Sequence, residues 1–98
     1  MCYVEAVTEE QTIKIVCDDR TLFLRSSLKN FQRQSGYSKL IQTSKSYLVN
    51  IDKVIHLNKL DRTLIIKLLD NSGKPINIGI GNKFYSKIIE TMNIAKDR

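Results

Sequence analysis

The sequence predicts a mainly β or α+β fold whose strands pair in an antiparallel way. Short runs of alternating polarity follow one another closely along the chain, which is typical of hairpins and meanders. No such run is followed by a long helix and then by another run, as the connection of parallel strands would require. A length of 98 residues suits one domain with a single modest core.

The first quarter of the chain contains three closely spaced β runs. In the second run, Ile13 and Ile15 alternate with polar residues and share one face with Cys17. In the third run, Leu22 and Leu24 are expected to point inward. The three predicted strands are Tyr3–Val7, Thr12–Cys17 and Thr21–Arg25.

A short helix is predicted after the third run. Ser26 and Ser27 are residue types that cap a helix, because their hydroxyl oxygens accept hydrogen bonds from the first backbone N–H groups. Leu28 and Phe31 follow at helical spacing and form a narrow apolar stripe. Gly36 is expected to end this helix.

The stretch Thr43–Val54 passes from a short polar, basic segment to an apolar one. We interpret it as one capped helical turn that buries Tyr47 and Leu48 and exposes Ser44–Ser46. Asn50 would end this turn through a left-handed backbone conformation. A new strand is then expected to begin where the stretch ends.

Three strands and a final helix are predicted for the second half of the chain. Val54–Leu60 and Thr63–Leu69 flank a two-residue turn, which is typical of a tight hairpin. Pro75–Ile80 alternates strictly, and the helix after it is expected to start with Asn82 as its N-cap. Residues expected to be buried are Tyr47, Leu48, Ile76, Ile78, Ile80, Ile88 and Met92.

The charge is distributed unevenly along the chain. Residues 1–19 hold one basic residue and five carboxylates, a net −4, whereas residues 20–98 hold fifteen basic residues and five carboxylates, a net +10. A basic tract without carboxylates runs between Asp19 and Asp52, which is typical of a domain that binds a polyanion. The alternative is a solvated surface without a partner. The tract consists of Arg20, Arg25, Lys29, Arg33, Lys39 and Lys45.

The chain offers little for catalysis or metal binding. His56 is the only histidine and lies within a predicted strand, where nothing in the sequence supplies an orienting partner. Cys2 and Cys17 lack metal-site spacing and are interpreted as reduced thiols of a cytoplasmic protein. No apolar run approaches about 20 residues, the length of a membrane span. We therefore expect no enzyme, cofactor, metal or membrane segment.

Two segments resemble LytTR-type DNA-binding domains, the output domains of many bacterial response regulators. Ser46–Asn50 (Ser-Tyr-Leu-Val-Asn) matches the end of the family's His-Arg-Ser-Tyr-(Ile/Leu/Val)-Val-Asn signature, whose start is replaced by Ser44-Lys45. Arg25–Lys29 matches the family's Arg-x-Ser-Leu-Lys segment. The resemblance covers nearly the whole chain and implies a single domain over residues 1–98. It implies a mainly β (β-rich α+β) fold, namely an elongated antiparallel β structure with two short inner helices and a C-terminal helix.

The family reads DNA with three loops, and the resemblance carries this role to the matching positions of this chain. Gln and Asn side chains can pair with adenine, and Lys can reach guanine or phosphate. Arg25 and Lys87 are added as further basic candidates. The loop candidates are Gln11 and Thr12, Ser44 and Lys45, and Asn82 and Lys83.

Two functions follow as hypotheses. The first is sequence-specific binding of double-stranded DNA by a bacterial transcription regulator of a two-component system, with the loops inserted into the major groove. Its expected partners are promoter repeats, an N-terminal receiver domain in the full-length protein, and a second copy of the chain on DNA. The second is a LytTR-like protein-interaction or dimerisation module that has lost DNA readout. The basic tract favours the first, whereas Glu9 and Glu10 beside Gln11 favour the second because they would repel phosphate.

Overall fold

The described part of the chain contains eight strands in two antiparallel sheets and two α-helices. This confirms the predicted β-rich fold. The structure is a computed structural model that describes residues 1–7, 11–36, 39–69 and 72–96, with side chains described as far as residue 92, residue 69 excepted. The five-stranded sheet contains β1 (Tyr3–Val7), β2 (Thr12–Val16), β3 (Thr21–Arg25), β4 (Leu40–Ser44) and β5 (Tyr47–Asn50); the three-stranded sheet contains β6 (Val54–Asn58), β7 (Thr63–Leu69) and β8 (Pro75–Gly79); the helices are α1 (Leu28–Ser35) and α2 (Asn82–Lys96).

The five-stranded sheet has the order β3-β2-β1-β5-β4, so that the first strand of the chain lies in its centre. Because all neighbours are antiparallel, the ends of β1, β3 and β4 meet the starts of β2 and β5 at one end of the sheet. The turn that carries Lys45 lies at this end of the sheet, and we call this end of the sheet the Lys45 end. This arrangement brings together segments that are far apart in the sequence.

Apolar side chains on both faces of the five-stranded sheet are buried, which divides the core into two clusters. On one face, Val4, Ile13 and Leu48 pack with Leu28 of α1. The other face packs against the three-stranded sheet and α2. Its buried members are Cys2, Tyr3, Val16, Val49, Leu64, Ile66, Ile78, Ile80 and Ile88. The alternation predicted for β2 is confirmed, since Ile13, Ile15 and Cys17 all lie in the α1 cluster.

The prediction for the third strand is wrong. Leu22 and Leu24 are 45% and 47% exposed, and Phe23 between them is 66% exposed. The reason is position, because β3 is an edge strand and none of the other described strands pairs with its outer side. Alternation within a single strand does not reveal whether a neighbour lies beyond it.

The predicted helical turn over Ser44–Leu48 is also wrong, because β4 and β5 form a hairpin there. A β-bulge lies between Gln42 and Ser44. β5 gains hydrogen bonds on both sides, from β4 and from β1. An aromatic residue followed by Leu and Val suits such a doubly paired strand. The short inner helix lies further on, as a 3-10 turn over Ile51–Lys53.

Asn50 does not adopt the left-handed conformation predicted for it, since its φ is −78°. Its amide is 2% exposed and fully used: Oδ1 accepts a hydrogen bond from the backbone N–H of Asp52 (3.0 Å), and Nδ2 donates one to the carbonyl of Met1 (2.7 Å). Asn50 therefore caps the 3-10 turn and ties it to the chain start.

The predicted signals for α1 are confirmed. Ser27 is its N-cap, and its hydroxyl oxygen accepts a hydrogen bond from the backbone N–H of Asn30 at 3.1 Å. Gly36 ends the helix with φ of 64°, a conformation that glycine adopts without strain. Leu28 is buried and Phe31 packs beside it.

The predicted burial is confirmed for some residues and only partly for others. Leu48, Ile78, Ile80 and Ile88 are buried. Tyr47, Ile76 and Met92 are half-buried and pack against the cluster between the sheets. Glu9 and Glu10, expected to oppose phosphate, lie outside the described residues.

The helices of the described chain include none that is both long and apolar enough to cross a membrane. Within the same residues, no group of three His, Cys, Asp or Glu side chains is placed to hold a metal ion.

Candidate nucleic-acid interface

A polar, basic hollow opens at the Lys45 end of the five-stranded sheet. Its walls come from the ends of β1 and β3, the start of β2, the first turn of α1 and the β4–β5 turn. We call it the first hollow. Among its lining residues are Gln11, Thr12, Arg25, Lys29, Asn30 and Lys45.

Gln11 is held by its backbone rather than by its side chain. Its carbonyl oxygen accepts a hydrogen bond from the backbone N–H of Ser26 at 2.9 Å, which ties the loop before β2 to the segment that leads into α1. Thr12 pairs with Arg25 across β2 and β3, so these two residues are fixed side by side. The φ of Gln11 is 50°, a conformation that is uncommon for any residue other than glycine.

The turn that exposes Lys45 is braced on both sides. The backbone N–H of Ser46 donates to Oγ of Ser44 at 3.1 Å, and the carbonyl of Ser46 accepts from the N–H of Ala6 at 2.8 Å. Ser44 is thus part of the turn's own scaffold. Lys45 itself projects into solvent.

Tyr47 follows this turn directly and is held by contacts with Glu5 and Tyr3. Its hydroxyl donates a hydrogen bond to Glu5 Oε2 at 3.2 Å, and its ring lies 6.1 Å from that of Tyr3, centroid to centroid. Burial, followed by the nearby carboxylate of Glu5, raises the pKa of Tyr47. The phenol therefore stays protonated and remains a donor at neutral pH.

The start of α2 is attached to the same end of the molecule. The backbone N–H of Gly81 donates to the carbonyl of Thr43 at 2.8 Å. A Cβ atom at Gly81 would come within 3.3 Å of the Phe84 ring, so a larger residue would disturb this close approach. Lys83 and Lys87 follow on α2, one helical turn apart and exposed.

A second hollow lies between β4 and α2, and Gln42 lines both hollows. Gln42 therefore joins the two hollows. Polar members of the second hollow are Gln32, Gln42, Lys83, Lys87 and Thr91.

Asn82 is the first residue of α2, and its side chain does not have the capping role predicted for it. Its Oδ1 accepts a hydrogen bond from the guanidinium of Arg62, a residue of the β6–β7 turn. The N–H of Phe84 is bonded instead to the carbonyl of Gly81 at 2.9 Å. The guanidinium of Arg62 also lies over the ring of Tyr85, 4.8 Å from its centroid.

Comparison with known proteins identifies the family of this architecture. The family model described as the LytTr DNA-binding domain matches residues 2–92. The chain belongs to the LytTR DNA-binding domain family. Among solved structures, the LytTr DNA-binding domain of a protein described as a methyl-accepting/DNA response regulator from Bacillus cereus matches with a TM-score of 0.63. The two are 15% identical, over 92% of this chain and 77% of that one. No curated protein matches in a sequence search.

The LytTR fold separates the basic tract that is continuous in the sequence. Arg25, Lys29 and Lys45 reach the Lys45 end. Arg20, at the start of β3, and Lys39, just before β4, lie at the opposite end. Lys39 there approaches Asp52 at 4.0 Å.

No ion pair is found between the basic residues of the Lys45 end and the described carboxylates, although the Glu5 carboxylate lies at this end, bonded to Tyr47. The ion pairs found among the described residues are Lys39–Asp52 and Lys53–Asp18, both away from this end. These basic side chains therefore remain available for contacts with phosphate. The basic residues concerned are Arg25, Lys29, Lys45, Lys83 and Lys87.

The fold distributes the candidates named by the LytTR resemblance over two places. Two groups result, one around the first hollow and one at the start of α2, and Thr43 connects them. Contact of these residues with DNA stays a prediction. The first group is Gln11, Thr12, Arg25, Ser44 and Lys45, and the second is Asn82, Lys83 and Lys87.

Three residues of this surface were not predicted individually. Lys29 had a signal, since it belongs to the basic tract and to the family segment. Gln42 had no signal in the sequence, because its place between the two hollows depends on the β4–β5 hairpin. Arg62 had none either, because it meets Asn82 only after two hairpins have formed.

Proposed function

We propose that this LytTR domain binds double-stranded DNA sequence-specifically as the output domain of a bacterial transcription regulator. One observation supports the proposal most strongly: Gln11 and Lys45 line the first hollow, and the backbone bond from Gly81 to Thr43 attaches the start of α2, which carries Asn82 and Lys83, beside it. In this proposal the loops enter the major groove, which is about 12 Å wide and displays a distinct pattern for each base pair.

The contacts divide by rigidity into readers and phosphate binders. Lys45 lies in a turn that hydrogen bonds of Ser44 and Ser46 hold in place, and Gln11 is tied to Ser26 through its carbonyl. A rigid support is what base readout needs. Lys29, Lys83 and Lys87 lie on helices flanking the hollows. They bind phosphate, which positions the domain without selecting a sequence.

The surroundings of the domain follow from this role. The single domain acts in a two-component system behind an N-terminal receiver domain in the full-length protein. Two copies bind promoter repeats as a homodimer on DNA. The site of action is the cytoplasm, where bacterial DNA lies.

A salt titration tests the proposal. Neutralising phosphates releases counterions, so affinity for duplex DNA should fall with salt at a log–log slope of about −0.9 per contact. With four to six basic contacts, we expect a slope of about −4 to −5. Absence of binding at low salt, or binding independent of salt, would contradict DNA binding.

A protein-interaction or dimerisation module is the second candidate function, and the β3 edge favours it. Phe23 and its neighbours Leu22 and Leu24 expose apolar surface beside unpaired strand hydrogen-bonding groups, as a strand-adding partner would require. Light scattering distinguishes the two functions. A dimer without DNA that Phe23→Lys dissociates would support this module, whereas a monomer that binds DNA would exclude it.

A further inference from the structure

The β6–β7 turn places Arg62 in an unusual backbone conformation. Arg62 has φ of 53°, and among the described residues only Gln11 shares this left-handed region without being glycine. Glycine or asparagine would adopt it at lower cost. Such positions cluster at functional sites, where the surrounding structure holds them in place. Gln11 lines the first hollow, and Arg62 contacts the start of α2.

Three contacts fix Arg62. Its carbonyl oxygen accepts a hydrogen bond from the N–H of Ile80 at 2.9 Å, which anchors the turn to the segment that leads into α2. Its guanidinium lies over the Tyr85 ring, 4.8 Å from the centroid, and donates to Oδ1 of Asn82. The planar group is therefore held in one orientation although the side chain is exposed.

The chemistry of this pair determines which way the Asn82 amide faces. A guanidinium has only donors, so the group that meets it must be the oxygen of the amide. The Nδ2 group then faces away from Arg62, with two N–H donors available. Unpaired, an asparagine offers a donor and an acceptor together, the pattern that pairs with N7 and N6 of adenine. Paired with Arg62, Asn82 has its Oδ1 directed at the guanidinium, so the atoms that it turns away from Arg62 are the Nδ2 donors.

We propose that Arg62 is a specificity-determining residue that turns the amide donors of Asn82 outward and so makes Asn82 a reader of guanine. Guanine presents two acceptors in the major groove, N7 and O6, whereas adenine presents N7 beside the N6 donor, which would oppose the amide N–H. Arg62 acts through Asn82 and is a positioning residue. The inference rests on the proposed function, because it assigns a base preference to one of the three proposed loops.

The experiment begins with a duplex selected by the unaltered protein from a random pool. Asn82→Ala identifies the base pair read by this residue, as the position where preference is lost. At that position the unaltered protein should prefer guanine over adenine by roughly 5- to 100-fold, the range of a good base contact. The base pairs read by Lys45 provide the internal control, and the base preference at those positions should be the same for Asn82→Ala as for the unaltered protein.

Two variants then test the role of Arg62. Arg62→Asn suits the left-handed backbone but removes the guanidinium, so the preference for guanine over adenine at that position should collapse toward unity. Asn82→Asp keeps the size of the side chain and its bond to Arg62 but replaces the outward donors with an acceptor. This variant should reject guanine and tolerate bases that offer an N–H donor, adenine or cytosine. Thermal melting of each variant confirms that it is folded.

Each result is decisive. The inference is overturned if Arg62→Asn binds with an unchanged base preference, if Asn82→Asp still selects guanine, or if Asn82→Ala alters no position. In all three cases the proposed function stands, because DNA is still bound selectively. If the unaltered protein does not bind duplex DNA, the proposed function fails, and the inference fails with it.

Discussion

The thiol of Cys2 donates a hydrogen bond to Oδ1 of Asp18, with 3.0 Å between sulfur and oxygen. Oδ2 of the same carboxylate lies 2.9 Å from Nζ of Lys53. Asp18 therefore connects the start of β1, the β2–β3 turn and the 3-10 turn before β6. The cluster lies at the opposite end of the five-stranded sheet from the candidate interface, so we expect substitutions there to leave that interface intact.

We predict that Cys2 resists alkylation in the folded protein. Burial, followed by the hydrogen bond to Asp18, raises the pKa of Cys2 to about 11, so the reactive thiolate is scarce at pH 8. Cys17 is partly exposed and should be labelled first. Mass spectrometry after treatment with iodoacetamide measures both residues in one sample. Equal rates for Cys2 and Cys17 under native conditions would contradict the prediction.

Acid should destabilise the protein partly through Asp18. The hydrogen bond from Cys2, followed by that from Lys53, lowers the pKa of Asp18 below its ordinary value of 3.8. A carboxyl group with a lowered pKa stabilises the fold at pH values above its ordinary pKa, and this contribution is lost as the pH falls through the folded-state pKa. We expect Asp18→Asn to be less stable at pH 7 and to lose less stability between pH 5 and pH 2. Urea unfolding at several pH values measures this, with Asp19→Asn as the matched control.

Leu48 should contribute far more to stability than the hydroxyl of Tyr47. Leu48 is completely buried, so Leu48→Ala should cost about 2–5 kcal/mol of unfolding free energy. Tyr47→Phe removes only the bond to Glu5, at about 0.5–1.5 kcal/mol. Chemical unfolding compares the two variants. A larger loss for Tyr47→Phe would mean that the turn depends on this bond rather than on packing.

Lys45→Ala should weaken binding to a selected duplex by about 1–3 kcal/mol and should affect random DNA less. The reason is the braced turn, which holds Lys45 in one place. Lys39→Ala is the control, because it removes the same charge from the other end of the sheet. Fluorescence anisotropy with both duplexes provides the measurement. An equal loss on both would make Lys45 a phosphate contact.

Replacing Lys83 and Lys87 together should lower the affinity for all duplexes equally, unlike the replacement of Lys45. If both bind phosphate, the double alanine variant should weaken all duplexes alike and make the salt slope shallower by about 2. A loss confined to the selected duplex would show that α2 reads bases along this face.

Local signals explain what the sequence predicted well. Ser27 and Gly36 act within a few residues of themselves, and both have the predicted role. Ile13 and Ile15 reveal their face through a period of two, which needs no knowledge of neighbouring strands. Gln11 and Lys45, both named by the family resemblance, line the same hollow, and their contact with DNA stays a prediction.

Long-range relationships explain the errors. Tyr47 and Leu48 form a strand because β1, more than 40 residues earlier, offers an edge for pairing. Leu22 and Leu24 alternate like core residues, although their strand has a single neighbour. The pairing of Arg62 with Asn82 depends on the path of β7 and β8 between them.

The central position of β1 has a consequence for the order of folding. The meander of β1, β2 and β3 closes through short loops, whereas β1 meets β5 only when residues about 42 positions apart come together, as Glu5 and Tyr47 do. Closing that long loop costs entropy before its contacts stabilise anything, and such contacts slow folding. Asn50 sits where the loop closes, bonded to the carbonyls of both Met1 and Cys2. Asn50 thus joins the two ends of this loop, and we expect its replacement to slow folding as well as to destabilise the folded state.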